Sequence, residues 1–267
     1  MQRVEARGVL TAKRVRETTR LDRLFQEGAA KIRLPSRTGE PLEAILINTA
    51  GGLTGGDRIA WRIEAGEGTS VAITTQACEK LYRSSAGRAE ANCELVAGAG
   101  ARLAWLPQET IAYDRSAFAR RLDVELAEDA QLLLLEATVF GRRAMGETVG
   151  HAMFRDRWRV RCNGRLVHAE DVCIGPDVAD LLSRTAVTGS ATAMATLLLI
   201  GEDVGRHLEA ARAIIGESGG VSAWSVGTTG KLLARLVAED SYGLRARLIP
   251  LVEMLNGRAG LPKTWSL

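Results

Sequence analysis

Residues 157–162 read Arg-Trp-Arg-Val-Arg-Cys, a strict alternation of charged and apolar side chains. Successive side chains of a β-strand point to opposite faces, so this pattern predicts a strand with one buried and one solvated face. The same alternation occurs at 58–64 and at 121–126. Apolar segments of similar length predict further strands at 42–48, 69–75, 89–96, 101–106, 131–139, 164–174, 192–200 and 231–237.

Glycine-rich turns separate these segments at a spacing of roughly ten residues, which favours a mainly β, antiparallel architecture over alternating βαβ units. Two late segments have helical spacing instead. In 203–215 the apolar residues line one helix face, and in 241–255 leucines repeat at intervals of four and three. Ser241 could cap the second helix, Gly257 lies just past its end, and Pro250 should kink or shorten it. The fold class is therefore many short β-strands with two α-helices in the C-terminal third.

The composition is that of a soluble globular protein. The 267 residues include 35 Lys+Arg and 32 Asp+Glu, a formal net charge of +3, with 46% hydrophobic and 25% charged residues. No linker divides the chain, so we expect a single domain over residues 1–267, with residues 1–20 as a possible flexible basic arm. The apolar runs at 132–135 and before Ile200 fit either core or an exposed interface, and core is the simpler interpretation.

Several classes of protein and site are not indicated. The longest apolar stretch, 191–200, is about half of the roughly 20 residues that span a bilayer, so no membrane helix is predicted. The four cysteines show no Cys-x-x-Cys spacing, which favours reduced thiols in the cytoplasm over a zinc site or disulfides. Small net charge and 4% aromatic residues do not indicate a nucleic-acid partner.

Two glycine motifs have alternative interpretations. Residues 216–220 satisfy Gly-x-Ser-x-Gly, so Ser218 is a candidate hydrolase nucleophile, although the motif follows a predicted helix where a strand is required. Residues 227–231 lack the first glycine and the final hydroxyl of a phosphate-binding loop, so we expect no intrinsic nucleotide hydrolysis.

Four motifs, read in order, resemble the urease accessory protein UreD family, also called UreH. They are Asn-Thr-Ala-Gly-Gly-Leu-Thr-Gly-Gly-Asp at 48–57, Thr-Thr-Gln-Ala-Cys-Glu-Lys-Leu-Tyr-Arg-Ser at 74–84, Leu-Pro-Gln-Glu-Thr-Ile at 106–111 and Gly-Arg-Arg-Ala-Met-Gly-Glu at 141–147, followed by Trp265. The individual motif residues that we expect to matter are Gly51, Gly52, Gly55, Gly56, Lys80, Tyr82, Arg83, Arg142 and Gly146.

The resemblance implies a non-enzymatic scaffold whose strands stack helically in two sheets, with a pair of helices. It also implies a cytoplasmic role in urease maturation. The family binds the urease apoprotein and UreF, which recruits the GTPase UreG, and nickel is passed into urease during GTP-dependent activation. Alternatives are a serine hydrolase that uses Ser218, or an assembly module for another metalloenzyme.

Nickel that is handed along a protein needs ligands that release it. Carboxylates and water suit such transit, whereas a His and Cys cluster would trap the metal. The chain has only three His, so nickel(II) in transit is expected, with no permanently bound cofactor and no tightly bound metal. Asp57 matches an acidic position that the family associates with an internal passage. Glu79, Glu109 and Glu147 are secondary candidates, and Cys78 is either a soft ligand or a packed thiol.

Overall fold

The computed structural model describes residues 3–35, 39–142 and 145–266. Within these residues the chain forms strands β1 to β17 and helices α1 to α3. The strands are Glu5–Val15, Thr18–Glu27, Ala30–Arg33, Leu42–Asn48, Arg58–Ala65, Ser70–Thr75, Glu79–Leu81, Ala89–Ala97, Arg102–Leu106, Thr110–Ala112, Ala117–Leu126, Gln131–Phe140, Met153–Cys162, Arg165–Ile174, Ala193–Ile200, Gly219–Val226 and Thr229–Ala238. The helices are Val178–Ser183, Leu208–Ile215 and Ser241–Asn256.

The strands form two sheets. Sheet A has the order β14-β13-β11-β8-β5-β1-β2, and sheet B has the order β16-β17-β15-β12-β9-β6-β4-β3 with β7 and β10 beside it. From β4 to β13 the chain passes back and forth between the sheets, so that each turn of chain adds one strand to each sheet. The mainly β, two-sheet, helically stacked fold with helices in the C-terminal third is thereby confirmed.

The prediction of an antiparallel architecture is wrong for the middle of the molecule. Strands β5, β8, β11 and β13 pair in parallel, as do β4, β6, β9 and β12. The physical reason is the helical path, because strands one full turn apart run in the same direction. Antiparallel pairs among the described strands lie toward the ends of the stack, for example β1 with β2 and β15 with β17.

The expected flexible basic arm is also wrong for its described residues. Strand β1 lies between β5 and β2 in sheet A. Its apolar residues Ala6, Leu10 and Ala12 are buried while the basic residues of the strand point outward. The described part of the arm is therefore an inner strand of sheet A whose basic residues Arg7, Lys13 and Arg14 are exposed.

The two predicted helices differ in how closely the observed residue ranges match the predicted ones. Helix α3 covers 241–256 and continues past Pro250, and its cap is Asp240, whose side chain accepts a hydrogen bond from the Gly243 N–H at 2.8 Å. Helix α2 begins only at Leu208, because residues 204–207 form a 3-10 turn after Asp203, which has a left-handed backbone (φ 49°). None of the described helices is long and apolar enough to cross a membrane.

The core has two layers, one on each side of sheet B. Leu132 and Leu134 of β12 face sheet A, and Leu133 and Leu135 face helices α2 and α3. All four are buried, as is Ile200, so both apolar runs are core. The helices cover the outer face of sheet B, where α3 contacts β12, β15 and β17.

Candidate functional site

The four motifs occupy the four successive connections from sheet B to sheet A. These are the segments 49–57, 76–88, 107–116 and 141–152. Because the turns of chain stack, the connections stack too, and parallel backbone pairing joins Leu53 to Leu81, Leu81 to Ala112 and Ala112 to Phe140. The motifs therefore form one continuous surface at one end of the two sheets, which we call the motif end.

Close packing explains two of the motif glycines. A Cβ atom on Gly52 would lie 2.4 Å from the Tyr82 ring and 2.6 Å from the Lys80 carbonyl oxygen. A Cβ atom on Gly55 would lie 2.0 Å from Ser84 Oγ. Only glycine lets the first connection lie against the second this closely.

Asp57 is buried and fixes the start of sheet A. Its Oδ1 accepts a hydrogen bond from the Val4 N–H at 2.9 Å, and its Oδ2 accepts one from the Thr54 N–H at 2.8 Å. The carboxylate thus joins β1 to the first connection. A passing metal ion would compete with these two N–H groups, so the transit role of Asp57 stays a prediction beside a definite structural role.

Cys78 and Glu109 are in contact, and Arg245 of helix α3 holds them. Cys78 Sγ lies 3.4 Å from Glu109 Oε2, and Arg245 donates to both Glu109 oxygens at 2.6 and 2.7 Å. Burial alone would raise the pKa of Glu109, but the hydrogen bonds from Arg245 hold that pKa below its usual value. Burial and the neighbouring Glu109 charge raise the pKa of Cys78 to about 11. Without a metal ion Cys78 is therefore a neutral thiol, as expected of a packed thiol, and its role as a soft ligand stays a prediction.

Glu79 follows Cys78 and lines a cavity of about 310 Å³ together with Asn48 and Lys80. Asn48 Nδ2 donates to both carboxylate oxygens, at 3.1 and 3.3 Å. Burial raises the pKa of Glu79 to about 7, with the Asn48 hydrogen bonds opposing the shift.

The last motif forms a separate cluster at the motif end. Arg142 donates to Glu147 at 2.8 Å and its guanidinium lies 4.2 Å from the centre of the Tyr113 ring. The Tyr113 ring meets the Tyr82 ring edge to face at 5.3 Å, and Tyr82 donates to the Gly51 carbonyl at 3.1 Å. This chain of contacts ties the fourth connection to the first.

The remaining motif residues lie at the surface. The side chains of Lys80 and Arg83 are exposed. Gly51, Gly56 and Gly146 have φ values of 76°, 90° and 68°, which suit glycine. Arg143 and Ala144 of the fourth motif lie outside the described residues.

The structure brings together only part of the predicted nickel path. Cys78, Glu79 and Glu109 adjoin one another, and the Glu79 N–H donates to the Glu109 carbonyl at 3.0 Å. Asp57 and Glu147 bond to other partners. Within the described residues, no three His, Cys, Asp or Glu side chains form a group that could hold a metal ion.

A buried charged network between the two sheets was not predicted from the sequence. Arg120 of β11 donates to both oxygens of Asp156 on β13, at 3.0 and 2.5 Å, and forms an ion pair with Glu136 of β12. Trp158 donates to Asp156 and Trp105 donates to Glu136, both at 2.9 Å. The three charged side chains are nearly inaccessible to solvent.

Electrostatics distinguish the members of this network. Burial disfavours the charged form of Arg120, but Asp156 and Glu136 outweigh burial and raise its pKa, so Arg120 stays cationic. Burial raises the pKa of Glu136 to about 7, against the attraction of Arg120. Burial thus favours the protonated form of Glu136, whereas Arg120 favours the carboxylate.

A small cavity adjoins the network, with room for about one water molecule. Its polar lining comes from both sheets and consists of Glu136, Thr138, Asp156, Glu170 and Thr196. The signal for this site was present in the sequence. Arg120 and Asp156 occupy inward positions of alternating strands, and Glu136 interrupts an apolar run.

The alternative site at Ser218 does not have the required context. Gly216 ends helix α2 with φ 56°, and Ser218 lies in a single 3-10 turn that leads into β16. The order is helix to strand, whereas a nucleophile elbow needs strand to helix. Nothing in this turn supports the hydrolase interpretation.

Comparison with known proteins agrees with the motifs. The family model described as UreD urease accessory protein matches residues 4–266. The chain is 59% identical to "Urease accessory protein UreD 1" of Brucella melitensis biotype 1, over 100% of this chain and 95% of the relative. It is 60% identical to "Urease accessory protein UreD" of Mesorhizobium japonicum, over 93% of this chain and 89% of the relative. The chain therefore belongs to the UreD family of urease accessory proteins.

Proposed function

We propose that the protein is a non-enzymatic maturation factor for urease that acts in the cytoplasm. It binds the urease apoprotein and the UreF and UreG accessory proteins, and it passes nickel(II) toward the urease active site during GTP-dependent activation. The observation that carries this proposal is the similarity to urease accessory proteins along nearly the whole chain. The phosphate-binding loop pattern that residues 227–231 fail to match is supplied by the GTPase partner.

The interior between the sheets supports nickel transit. Glu136, Asp156 and Glu170 line one cavity and come from both sheets, although the three carboxyl groups do not form a three-ligand metal site. Oxygen ligands hold a divalent nickel ion less firmly than imidazole and thiolate ligands do. An ion that reaches this cavity can exchange water for carboxylate without becoming trapped.

Arg120 keeps this site weak. Its guanidinium already neutralises part of the charge of Asp156 and Glu136. An entering cation is repelled by Arg120 and must also compete with it for the same oxygens, so tight binding is disfavoured. Because burial raises the pKa of Glu136, the group can release a proton when the ion arrives and regain one when the ion leaves.

The test is urease activation in cells that are supplied with nickel and the remaining accessory proteins. The chain is present, absent, or replaced by Glu136→Gln, and urease activity and the nickel content of purified urease are both measured. Glu94→Gln is the matched control, because Glu94 lies on the outer face of sheet A with 58% of its side chain exposed. We expect activity and nickel to need the chain, to fall with Glu136→Gln, and to be unchanged by Glu94→Gln.

Two outcomes of this test distinguish the role in urease maturation from the nickel path through the cavity. If urease activity and nickel content do not depend on the chain, the maturation role is wrong. If they depend on the chain but Glu136→Gln activates urease normally, the role stands and the path through the cavity is wrong.

A further inference from the structure

In the part of the chain that the structure describes, helices α2 and α3 cover the outer face of sheet B, whereas the outer face of sheet A carries a row of arginines. Along β13 every second residue from Arg155 to Arg161 is an outward-facing arginine. Strand β11 runs beside β13 and places Arg121 opposite Arg157. We call these five residues the arginine face: Arg121, Arg155, Arg157, Arg159 and Arg161.

Acidic neighbours balance only part of this charge. On β11, Asp123 lies opposite Arg159 and Glu125 lies opposite Arg161, and on β14 Asp171 lies opposite Arg157. Three carboxylates thus accompany five guanidinium groups. The arginine face has an excess of positive charge on a protein whose overall formal charge is only +3.

The available carboxylates are mostly taken by other arginines. Asp171 accepts two hydrogen bonds from Arg155, at 2.9 and 2.8 Å, and Asp123 accepts one from Arg121. Arg159 donates to backbone carbonyl oxygens instead. The structure shows no hydrogen bond or ion pair between Arg157 or Arg161 and any of the residues that it describes. Both are half-buried, so their unpaired charges are only partly screened by water.

A shallow groove gives a ligand access to these guanidinium groups. It has a volume of about 180 Å³, and its lining includes Arg157 and the small side chain of Ala119. Arg88, Arg121 and Arg155 also line the groove, as does Glu90, which accepts a hydrogen bond from Arg88 at 3.1 Å. A carboxylate that enters over Ala119 would meet several guanidinium groups, each with a planar pair of donors that matches a carboxylate.

We propose that the arginine face is a docking surface for an acidic segment of a partner protein, rich in Asp and Glu. Nucleic acid is the less favoured partner because the face lacks stacking side chains. The outward residues of β8, β11 and β13 include no aromatic side chain on which a base could stack. The proposal does not depend on the role in urease maturation.

The test measures binding of a fluorescein-labelled peptide of eight glutamates to the full-length chain by fluorescence anisotropy at low ionic strength. In the variant Arg157→Glu/Arg161→Glu we expect the affinity to fall at least tenfold. The matched control is Arg20→Glu/Arg23→Glu, because these exposed arginines lie on β2 of the same sheet and also form no hydrogen bond or ion pair with the residues that the structure describes. We expect the control to change the affinity less than threefold.

Reversing the charge of the probe checks that the effect is direct. A peptide of eight lysines should bind the Arg157→Glu/Arg161→Glu variant more tightly than the wild type. If the glutamate variant is unfolded by circular dichroism, Arg157→Ala/Arg161→Ala replaces it, with an expected loss of about fivefold in affinity for the glutamate peptide.

Two results would overturn the proposal. One is an equal loss of binding in the β2 control, which would show general charge attraction. The other is tighter binding of an eight-nucleotide single-stranded DNA than of the glutamate peptide through the same arginines, which would identify a nucleic-acid surface.

Discussion

The two layers that flank sheet B both contain side chains of strand β12, but they differ in their buried charge. Strand β12 sends Leu135 and Ala137 toward the helices, into a cluster of apolar side chains. It sends Glu136 toward sheet A, where Glu136 forms an ion pair with Arg120, which also pairs with Asp156. This network lies among the apolar side chains between the sheets. Strand β12 therefore separates the mainly apolar layer under the helices from the layer between the sheets, which contains the charged network.

This difference in buried charge shows which layer can be explained by its contribution to stability alone. Burying apolar side chains contributes about 25 cal/mol per Å² of area removed from water. A buried ion pair has a desolvation cost that often cancels its Coulomb attraction, so well-packed apolar residues could replace it without loss of stability. The charged layer therefore points to a function other than holding the fold, in agreement with the proposed nickel path.

The largest effect is expected when the charged network is broken from one side. Arg120→Ala leaves Asp156 and Glu136 buried without their cation, so we expect the free energy of unfolding to fall by about 3–5 kcal/mol. Urea denaturation at pH 7 measures this loss. A loss below about 1 kcal/mol would show that water already reaches the network and that the two layers do not differ as described.

The next effect compares the two layers directly, by the same substitution at adjacent residues of β12. Leu134 faces sheet A, Leu135 faces the helices, and both are fully buried. Leu134→Ala and Leu135→Ala should each lower the free energy of unfolding by about 3 kcal/mol, because each leaves a cavity. If Leu134→Ala costs much less in the same urea titration, the layer between the sheets is loosely packed around its charges.

Asp57 provides a third measurement, at a buried carboxylate that bonds to backbone and not to arginine. Asp57→Ala leaves the N–H groups of Val4 and Thr54 without acceptors, so we expect a loss of about 2 kcal/mol in the free energy of unfolding. Nickel loading of urease should fall, while assembly with the partner proteins persists. If the variant is destabilised yet loads nickel normally, Asp57 has only a structural role.

Much of the fold was predictable because half-buried strands alternate visibly in sequence. Strand β4 matches its predicted range of 42–48, and the alternation at 157–162 lies within β13. Strand direction could not be predicted, since parallel and antiparallel strands of this kind alternate alike. Strand β2 was missed because most of its residues are exposed, which removes the alternation. Strand β7 was missed because it has only three residues.

The candidate site also has features that the sequence predicted and features that it did not. The motifs located the four connections, and the resemblance supplied the two-sheet stacking that joins them. Contacts such as that between Glu109 and Arg245, 136 residues apart, depend on the packing of helix α3 and leave no spacing signal. The charged network could have been predicted from the sequence but was not. Charged residues at inward positions of alternating strands indicate buried partners.

The smallest effect concerns the pH dependence of Glu79, a half-buried carboxyl group with no cationic partner among the described residues. Its pKa is about 7 in the folded protein against 4.5 ordinarily. Between pH 4.5 and 7 the folded state therefore holds a proton that the unfolded state has lost, and stability falls as the pH rises through this window. Glu79→Gln removes this loss, so the variant should be more stable than the wild type by about 1–2 kcal/mol at pH 8 and nearly equal to it at pH 4.5. Urea denaturation at both pH values measures the difference, with Glu94→Gln as the control that should show none. An equal difference at both pH values would mean that Glu79 does not titrate in this range, and the motif end would then hold a permanent negative charge beside its cavity.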